Sequence, residues 1–321
     1  MSMHAAVVRS FDRSPRYETF DEPDPIGPDQ VVVEVLAAGL HPRVRSGASR
    51  RHYTSTGSLP MIPGIDGVGR LPDGGKVYFA VDDDTWGSMA ERAVVDLRRT
   101  VPLPEQADAV KVAAAMNPAM SSWVALRRRV HLEPGQSVLI LGATGNAGSM
   151  AVQVAKRLGA GPVIGAGRDP RRLAGLAAVG ADEVVAITGD GSETAERLAD
   201  AAAEVEVVID YLWGEPASAA MVALLKARAD RSRALDWIQI GAVAGPTITL
   251  PSVALRSANL RIQGSGQGAV SPAGYRAELP ALVEEIDSGT IGVNARAVPL
   301  AHVEATWDAP EHSGARTVFT P

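Results

Sequence analysis

The chain has 321 residues, no cysteine, and a net charge of −6 from 31 basic and 37 acidic side chains. Without thiols there is no disulfide, thiolate nucleophile, iron–sulfur cluster or cysteine-ligated zinc, and scattered, net-acidic charge argues against a nucleic-acid footprint or a polybasic membrane patch. A hydrophobic content of 46% with 21% charged residues is that of a globular chain; no apolar run approaches the ~18 residues of a membrane span, and Met1–Phe11 lack a leader pattern, so a cytoplasmic location is expected.

A length beyond the ~250–300 residues at which single cores stop growing predicts two domains. The first 120 residues read as β-rich, with short apolar runs such as Val31–Leu36 and Lys76–Val81 between Pro/Gly/Asp clusters such as Glu22–Asp29. From about Ser137 the texture changes. Apolar runs at 137–141, 162–167, 183–187, 205–210, 236–240 and 259–263 predict strands, with helices over 146–158, 170–179, 192–202 and 216–228 between them. Strands alternating with helices imply an α/β unit, a Rossmann doubly wound parallel sheet. After one more helix at 274–288, short strands return at 295–300 and 315–319. The expected layout is therefore a discontinuous β-rich domain, 1–118 and 269–321, interrupted by a dinucleotide-binding domain, 119–268.

The strongest motif is Gly142-Ala143-Thr144-Gly145-Asn146-Ala147-Gly148, directly after the run Val138–Leu141 and opening a predicted helix. Glycines there allow a tight turn without Cβ atoms and let a diphosphate approach backbone N–H groups at a helix N-terminus. An NAD-specific site would place an acidic residue about 20 residues on, for the ribose 2′-OH. This chain instead has Gly165-Ala166-Gly167-Arg168, with Arg171 and Arg172 one turn later. A guanidinium suits a 2′-phosphate, so NADPH is the expected cofactor, held by Gly142, Thr144, Gly145, Asn146, Ala147, Arg168 and Arg172. Asp169 weakens that reading, because it can pair with Arg171 or Arg172.

These residues resemble the medium-chain dehydrogenase/reductase superfamily, in its zinc-independent quinone oxidoreductase branch. Ala37-Ala38-Gly39-Leu40-His41-Pro42 is similar to that branch's Ala-Ala-Gly-Val-Asn-Pro segment. Pro63–Gly69 resembles its Pro-Gly-x-Asp-x-x-Gly turn, and Gly87–Glu91 its Gly-x-Phe-Ala-Glu. Ala115–Leu126 resembles its hinge helix, Pro134–Gly159 its nucleotide-binding segment, and Glu206–Asp210 its Asp-Val-Val-x-Asp strand. The resemblance covers essentially the whole chain. It implies a GroES-like outer domain, an NADPH cleft between domains, and a homodimer through edge strand 259–263, whose Leu260 and Ile262 would form one packed face. It also implies that Ser121, matching the family's Thr, reaches the nicotinamide or phosphate, and that Gly241-Ala242-Val243 and Gly264-Ser265-Gly266 border the nicotinamide.

Two departures matter: the zinc relatives' Cys and His ligand positions carry no thiol, and His41 replaces the branch's usual Asn. Without a Lewis acid, alcohol oxidation near neutral pH is disfavoured. Quinones and α,β-unsaturated carbonyls accept hydride into a conjugated oxygen system and need mainly positioning and a hydrogen-bond donor. The expected activity is therefore NADPH-dependent reduction of such electrophilic small molecules. Tyr53 and His41 are the candidate catalytic residues; Tyr53 reads equally as a loop residue and His41 nearly equally as a structural histidine. Asp66 is expected to hold the Gly64–Gly69 turn. A short-chain reductase is excluded, since no Tyr has Lys four positions later. An enoyl-thioester reductase, with a basic entrance from Arg43, Arg45, Arg50 and Arg51, stays open, as does a non-catalytic NADPH-binding sensor.

Overall fold

The apolar runs become short strands and the Pro/Gly/Asp clusters become the turns between them. The computed structural model describes residues 1–52, 55–81, 85–266, 268–309 and 314–321. In chain order, β1 (Ser2–Val7), β2 (Arg16–Asp21) and β3 (Gln30–Gly39) lead into a short helix, α1 (Pro42–Ala48). Then come β4 (Asp66–Arg70), β5 (Lys76–Ala80), β6 (Arg92–Asp96), β7 (Thr100–Pro102) and α2 (Ala109–Val124), which ends in a π-helical turn, Ala125–Arg129. Alternation follows: β8 (Val138–Leu141), α3 (Asn146–Arg157), β9 (Val163–Gly167), α4 (Pro170–Gly175), β10 (Glu183–Ala186), α5 (Gly191–Ala202), β11 (Val207–Asp210), α6 (Gly214–Ala227), β12 (Leu235–Gln239), α7 (Ser252–Arg256) and β13 (Leu260–Gly264). The chain closes with α8 (Pro272–Asp287), β14 (Ala295–Pro299), α9 (Val303–Thr306) and β15 (Arg316–Thr320).

These elements form two units. One comprises Met1–Asn117 and Arg276–Pro321, the other Pro118–Tyr275. In the first, β1 and β2 pair antiparallel, and a larger sheet runs β14-β15-β3-β4-β5-β7 with β6 paired to β3. Strand β3 shows why: Val33 and Val35 are buried and Glu34 is exposed, the period-2 pattern of a strand with one covered face. Its core gathers Val33, Val35, Leu40, Phe79, Met89 and Phe319. This is the GroES-like part of the chain.

The second unit carries a six-stranded sheet, β10-β9-β8-β11-β12-β13, in which every pairing is parallel. Numbered from β8, the order is 3-2-1-4-5-6, that of a Rossmann sheet. Val138, Leu139, Ile140 and Leu141 are all buried, as expected of a strand covered by helices on both faces. The helix expected over 170–179 breaks after Gly175 and finishes as a 3-10 turn, Ala177–Val179, with Gly180 at φ +109 closing it. A glycine inside a short helix and a left-handed glycine at its end account for the interruption.

Strand β13 leaves an apolar side chain uncovered within the single chain. Leu260 is half-buried, but Ile262 is 38% exposed while Gln263 is partly covered. The strand is the last in its sheet and pairs only with β12, so the outward alternation lacks a covering element on the Ile262 side.

Candidate functional site

The parallel register aligns the ends of the strands. Leu141 lies opposite both Ala166 and Asp210, Asp210 opposite Gln239, and Gln239 opposite Gly264. The segments that follow, Gly142–Ala147, Arg168, Tyr211–Trp213, Gly241–Val243 and Ser265–Gly266, therefore come off one carboxyl edge. In this strand order the chain reverses direction between β8 and β11, and ligands of such sheets bind at that crevice.

The glycine-rich turn is as tight as its sequence suggests. Gly142 has φ +88, and a Cβ on Gly148 would stand 2.2 Å from the Gly142 carbonyl oxygen and 2.7 Å from Ala143 Cα. Helix α3 thus starts pressed against the turn. Helices α4 and α5 are capped by Asp169 and Asp190, whose carboxylates accept from their first-turn N–H groups, but no side chain caps α3. A helix N-terminus carries partial positive charge and unsatisfied N–H groups, so an acidic oxygen of a ligand fits where the chain supplies none. Thr144 packs back onto β9: a Cβ on Gly167 would lie 2.4 Å from its methyl carbon.

The arginines divide. Arg172 donates from Nη1 to the Thr144 carbonyl at 3.0 Å and stands 3.7 Å from the Asp169 carboxylate, so it braces the turn. The guanidinium named for a 2′-phosphate is thus also engaged within the chain, by the Thr144 carbonyl and the Asp169 carboxylate. Arg168 is exposed, at the end of β9, and makes no ion pair among the described residues.

Ser121 is also more committed than expected. Its hydroxyl donates to the Pro118 carbonyl at 2.7 Å, so the Tyr211 phenol, 2.8 Å away, is the donor to Ser121 Oγ. Tyr211 was not singled out by sequence. Burial pushes its phenol up to about 12, against the opposing pull of Ser121 and Ser122. The Tyr211 side chain and Leu212 are also what a Cβ on Gly142 would meet, at 3.3 and 3.2 Å. The preceding Asp210 is buried and accepts from Leu212 N (2.8 Å), Trp213 N (2.9 Å) and Trp237 Nε1 (3.0 Å), which holds Trp213 at φ +51 ahead of α6. Burial raises the Asp210 carboxyl, with those donors pulling the other way. The loop after β12 packs beside it: a Cβ on Gly241 would lie 2.6 Å from the Tyr211 carbonyl, and Ala244 N donates to Leu212 O. Val243 in that loop is 78% exposed, an apolar side chain beside the crevice. Arg129 donates to the carbonyls of Gly264 and Ala269, fixing both ends of the segment that contains Ser265 and Gly266. Ser265 is buried; Gly264 has open space where a Cβ would go, so its glycine is not demanded by this chain's own packing.

In the other unit, His41 ends β3's extension and begins α1, with Pro42 at the first helical position. Its imidazole is 2% exposed and its Nε2 lies 3.0 Å from Asp66 Oδ1. Tyr78 donates to the other carboxylate oxygen, Asp66 Oδ2, at 2.7 Å. Asp66 holds its turn through its backbone carbonyl, which accepts from Ser88 Oγ, and its carboxylate bridges His41 and Tyr78. Tyr53 lies outside the described residues.

The buried phenols give a pH prediction. Burial raises Tyr78 well above the usual 10, reinforced by Asp66, and raises Tyr211 to about 12. The folded state then keeps protons that the unfolded chain releases, so this contribution is complete below pH 10 and is lost as pH climbs toward 12. Alkaline titration followed by phenolate absorbance should show a late group of tyrosines that ionise together with unfolding; a single transition near 10 with intact far-ultraviolet dichroism would contradict the burial.

A parallel sheet in Rossmann order, an uncapped helix behind a glycine turn and an arginine left over after the second strand define a dinucleotide-binding protein. Comparison with known proteins places it further. Residues 147–288 match the family described as zinc-binding dehydrogenase. The probable NADPH-dependent quinone reductase tdiC of Emericella nidulans is 32% identical over 99% of this chain and 100% of its own length. The NADPH-dependent alkenal/one oxidoreductase of Arabidopsis thaliana chloroplasts is 26% identical over 57% of this chain and 50% of that protein. Among solved structures, the quinone oxidoreductase of Thermus thermophilus, described together with its NADPH complex, superposes with a TM-score of 0.81 at 26% identity, covering 99% of this chain and 100% of that one. The chain belongs to the medium-chain dehydrogenase/reductase superfamily, in its quinone oxidoreductase branch.

Proposed function

We propose that the protein is an NADPH-dependent oxidoreductase that delivers hydride to quinones or α,β-unsaturated carbonyls without zinc. The observation that carries the reading is the carboxyl edge of the parallel sheet, where Gly142, Gly145 and Gly148 clear the approach to an uncapped helix and Arg168 has no ion-pair partner among the described residues. The named activities of the relatives, an NADPH-dependent quinone reductase and an alkenal/one oxidoreductase, supply the substrate class.

When bound, NADPH supplies the hydride. The chain's part is to hold and shield it. Backbone N–H groups of Asn146 and Ala147 receive the diphosphate at the start of α3, Arg168 meets the 2′-phosphate, and Arg172 and Asp169 keep the turn in place. Ser121, braced by Tyr211, and the segments Gly241-Ala242-Val243 and Gly264-Ser265-Gly266 border the nicotinamide, with Val243 as apolar cover. Zinc independence rests on the donor set: there is no cysteine in the sequence, and among the described residues no group of three His, Asp or Glu side chains is arranged to hold a metal ion. We assign the protein to the cytoplasm as a homodimer, joined through β13, whose open edge and exposed Ile262 suit pairing with a second copy. Among the described residues no helix is long and apolar enough to cross a membrane.

The test is direct. Calorimetry should register NADPH binding, and a panel of quinones and enones should accelerate loss of NADPH absorbance. Enoyl thioesters belong in the same panel, because Arg45 and Arg50 make no ion pair among the described residues and the sequence has no acidic residue between Glu34 and Asp66 to compete for an anionic carrier. No heat with NADPH would end the proposal, and binding without turnover on any electrophile would leave a sensor.

A further inference from the structure

The stretch that follows β13 has little side-chain packing of its own. Glycine stands at 264, 266 and 268. A Cβ on Gly264 or Gly268 would meet no heavy atom within 4 Å, and Gly268 sits at φ +94. Buried Ser265 extends the sheet by one step, its N–H donating to the Gln239 carbonyl at 2.8 Å. Ala269 N donates to the Gly266 carbonyl at 3.0 Å, and Tyr275 Oη adds a longer bond to the same oxygen at 3.4 Å. Glycine loses more conformational freedom on ordering than any other residue. Such a stretch keeps one shape only where groups outside it hold its backbone.

The outside group is Arg129. Helix α2 ends in the π-helical turn Ala125–Arg129, closed by Val130 N donating to the Ala125 carbonyl at 3.2 Å; turns of this kind are frequent at functional sites. Arg127 lies over the Trp123 ring, 5.3 Å from its centroid. Arg129 reaches instead to residues 135 positions along the chain: Nε donates to the Gly264 carbonyl at 3.1 Å and Nη1 to the Ala269 carbonyl at 3.3 Å. Both acceptors are neutral backbone oxygens at opposite ends of the stretch. A planar fork of N–H donors suits two such oxygens at once, which a point-charge ammonium on a flexible stem does not. Ser121, Arg129 and Gly264–Ala269 all belong to the unit Pro118–Tyr275.

We infer that Arg129 is a positioning residue of the reductase, holding the glycine-rich stretch after β13 in the shape in which Gly264-Ser265-Gly266 presents its backbone to the nicotinamide. The inference rests on the reductase reading above, which sets that stretch beside the nicotinamide. The glycines leave the backbone bare for close approach, and the arginine supplies the order that they lack. Without its two hydrogen bonds the stretch samples many shapes, and affinity falls by the fraction of time spent in the competent one. The effect is confined to one half of the dinucleotide. The diphosphate and adenosine rest on the start of α3 and on Arg168, which Arg129 does not touch.

The decisive variant is Arg129→Met, which keeps an apolar stem and removes the donors. Calorimetry with NADPH and with adenosine 2′,5′-bisphosphate, which lacks the nicotinamide half, separates the two ends of the site. The expected result is NADPH binding weakened about tenfold and adenosine 2′,5′-bisphosphate binding unchanged. A general structural fault would weaken both ligands alike, so equal losses overturn the inference, as does unaltered NADPH binding. A second measurement uses no nucleotide: hydrogen exchange at the Ser265 and Ala269 amides should quicken in the variant while Val208 and Ile209 in β11 keep their protection. Unchanged exchange at both loop amides overturns the inference. Absence of NADPH binding by the wild-type protein would instead strike the functional reading, and the exchange arm would still decide whether Arg129 orders the stretch.

Discussion

Gly148→Val should abolish measurable NADPH binding and lower stability together. The added Cβ would stand 2.2 Å from the Gly142 carbonyl oxygen and 2.7 Å from Ala143 Cα, closer than Cβ atoms approach in proteins, and both neighbours are backbone that cannot rotate aside. Helix α3 must then move off β8, against buried Met150, Ala151 and Val154. Overpacking of this kind costs about 1–3 kcal/mol. The cofactor suffers more, because the N–H groups at the start of α3 shift with the helix. Hydrogen bonds to charged groups are worth about 1.5–3 kcal/mol each, so misplacing two of them lowers affinity by roughly 100-fold or more. Calorimetry reads the affinity and thermal unfolding the stability; normal NADPH binding by Gly148→Val would mean that the diphosphate rests elsewhere. Gly145→Ala is the useful contrast. A Cβ there meets only the Gly142 oxygen, at 3.3 Å, so it should leave the fold intact while intruding on the ligand's side of the turn.

Arg168→Ala should weaken NADPH and leave NADH untouched. A single charge-assisted contact to the 2′-phosphate is worth about 1.5–3 kcal/mol. The exposure of Arg168 puts the loss near the lower end, about tenfold, and salt should mask part of it. Arg172→Ala should behave differently. Its guanidinium holds the Thr144 carbonyl at 3.0 Å, so its loss loosens the turn that both cofactors use and should weaken NADPH and NADH by similar factors. Dissociation constants for the two nucleotides across both variants decide the matter. Equal weakening of NADPH and NADH by Arg168→Ala would remove it from the 2′-phosphate.

The alternation of strand and helix from 138 to 264 was legible because each parallel strand here is a short apolar run such as Val138–Leu141, covered on both faces. The glycine turn was legible for a steric reason, since only residues without a Cβ fit where Gly142 and Gly148 touch. The partners of the functional side chains were not legible in the same way. Arg168 and Arg172 look alike in sequence, yet one is left over and the other is spent on Thr144, 28 residues earlier. Ser121 and Tyr211 meet across 90 residues, and no local pattern at Tyr211 announces it. His41 and Asp66 were each singled out, but their pairing, and the third member Tyr78, appear only when β3, β4 and β5 lie side by side.

The amino-acid order by itself determined the periodicities, the glycine turn, the absence of thiol chemistry and the positive end of the second Rossmann strand, because each is a property of neighbouring residues or of the composition. Tertiary structure alone decided which strands adjoin, which arginine makes no ion pair among the described residues and which histidine nitrogen lacks a partner among them. Those outcomes depend on the register of strands distant in sequence, and a side chain's hydrogen-bond capacity is allotted only when that register brings its competitors within about 3 Å.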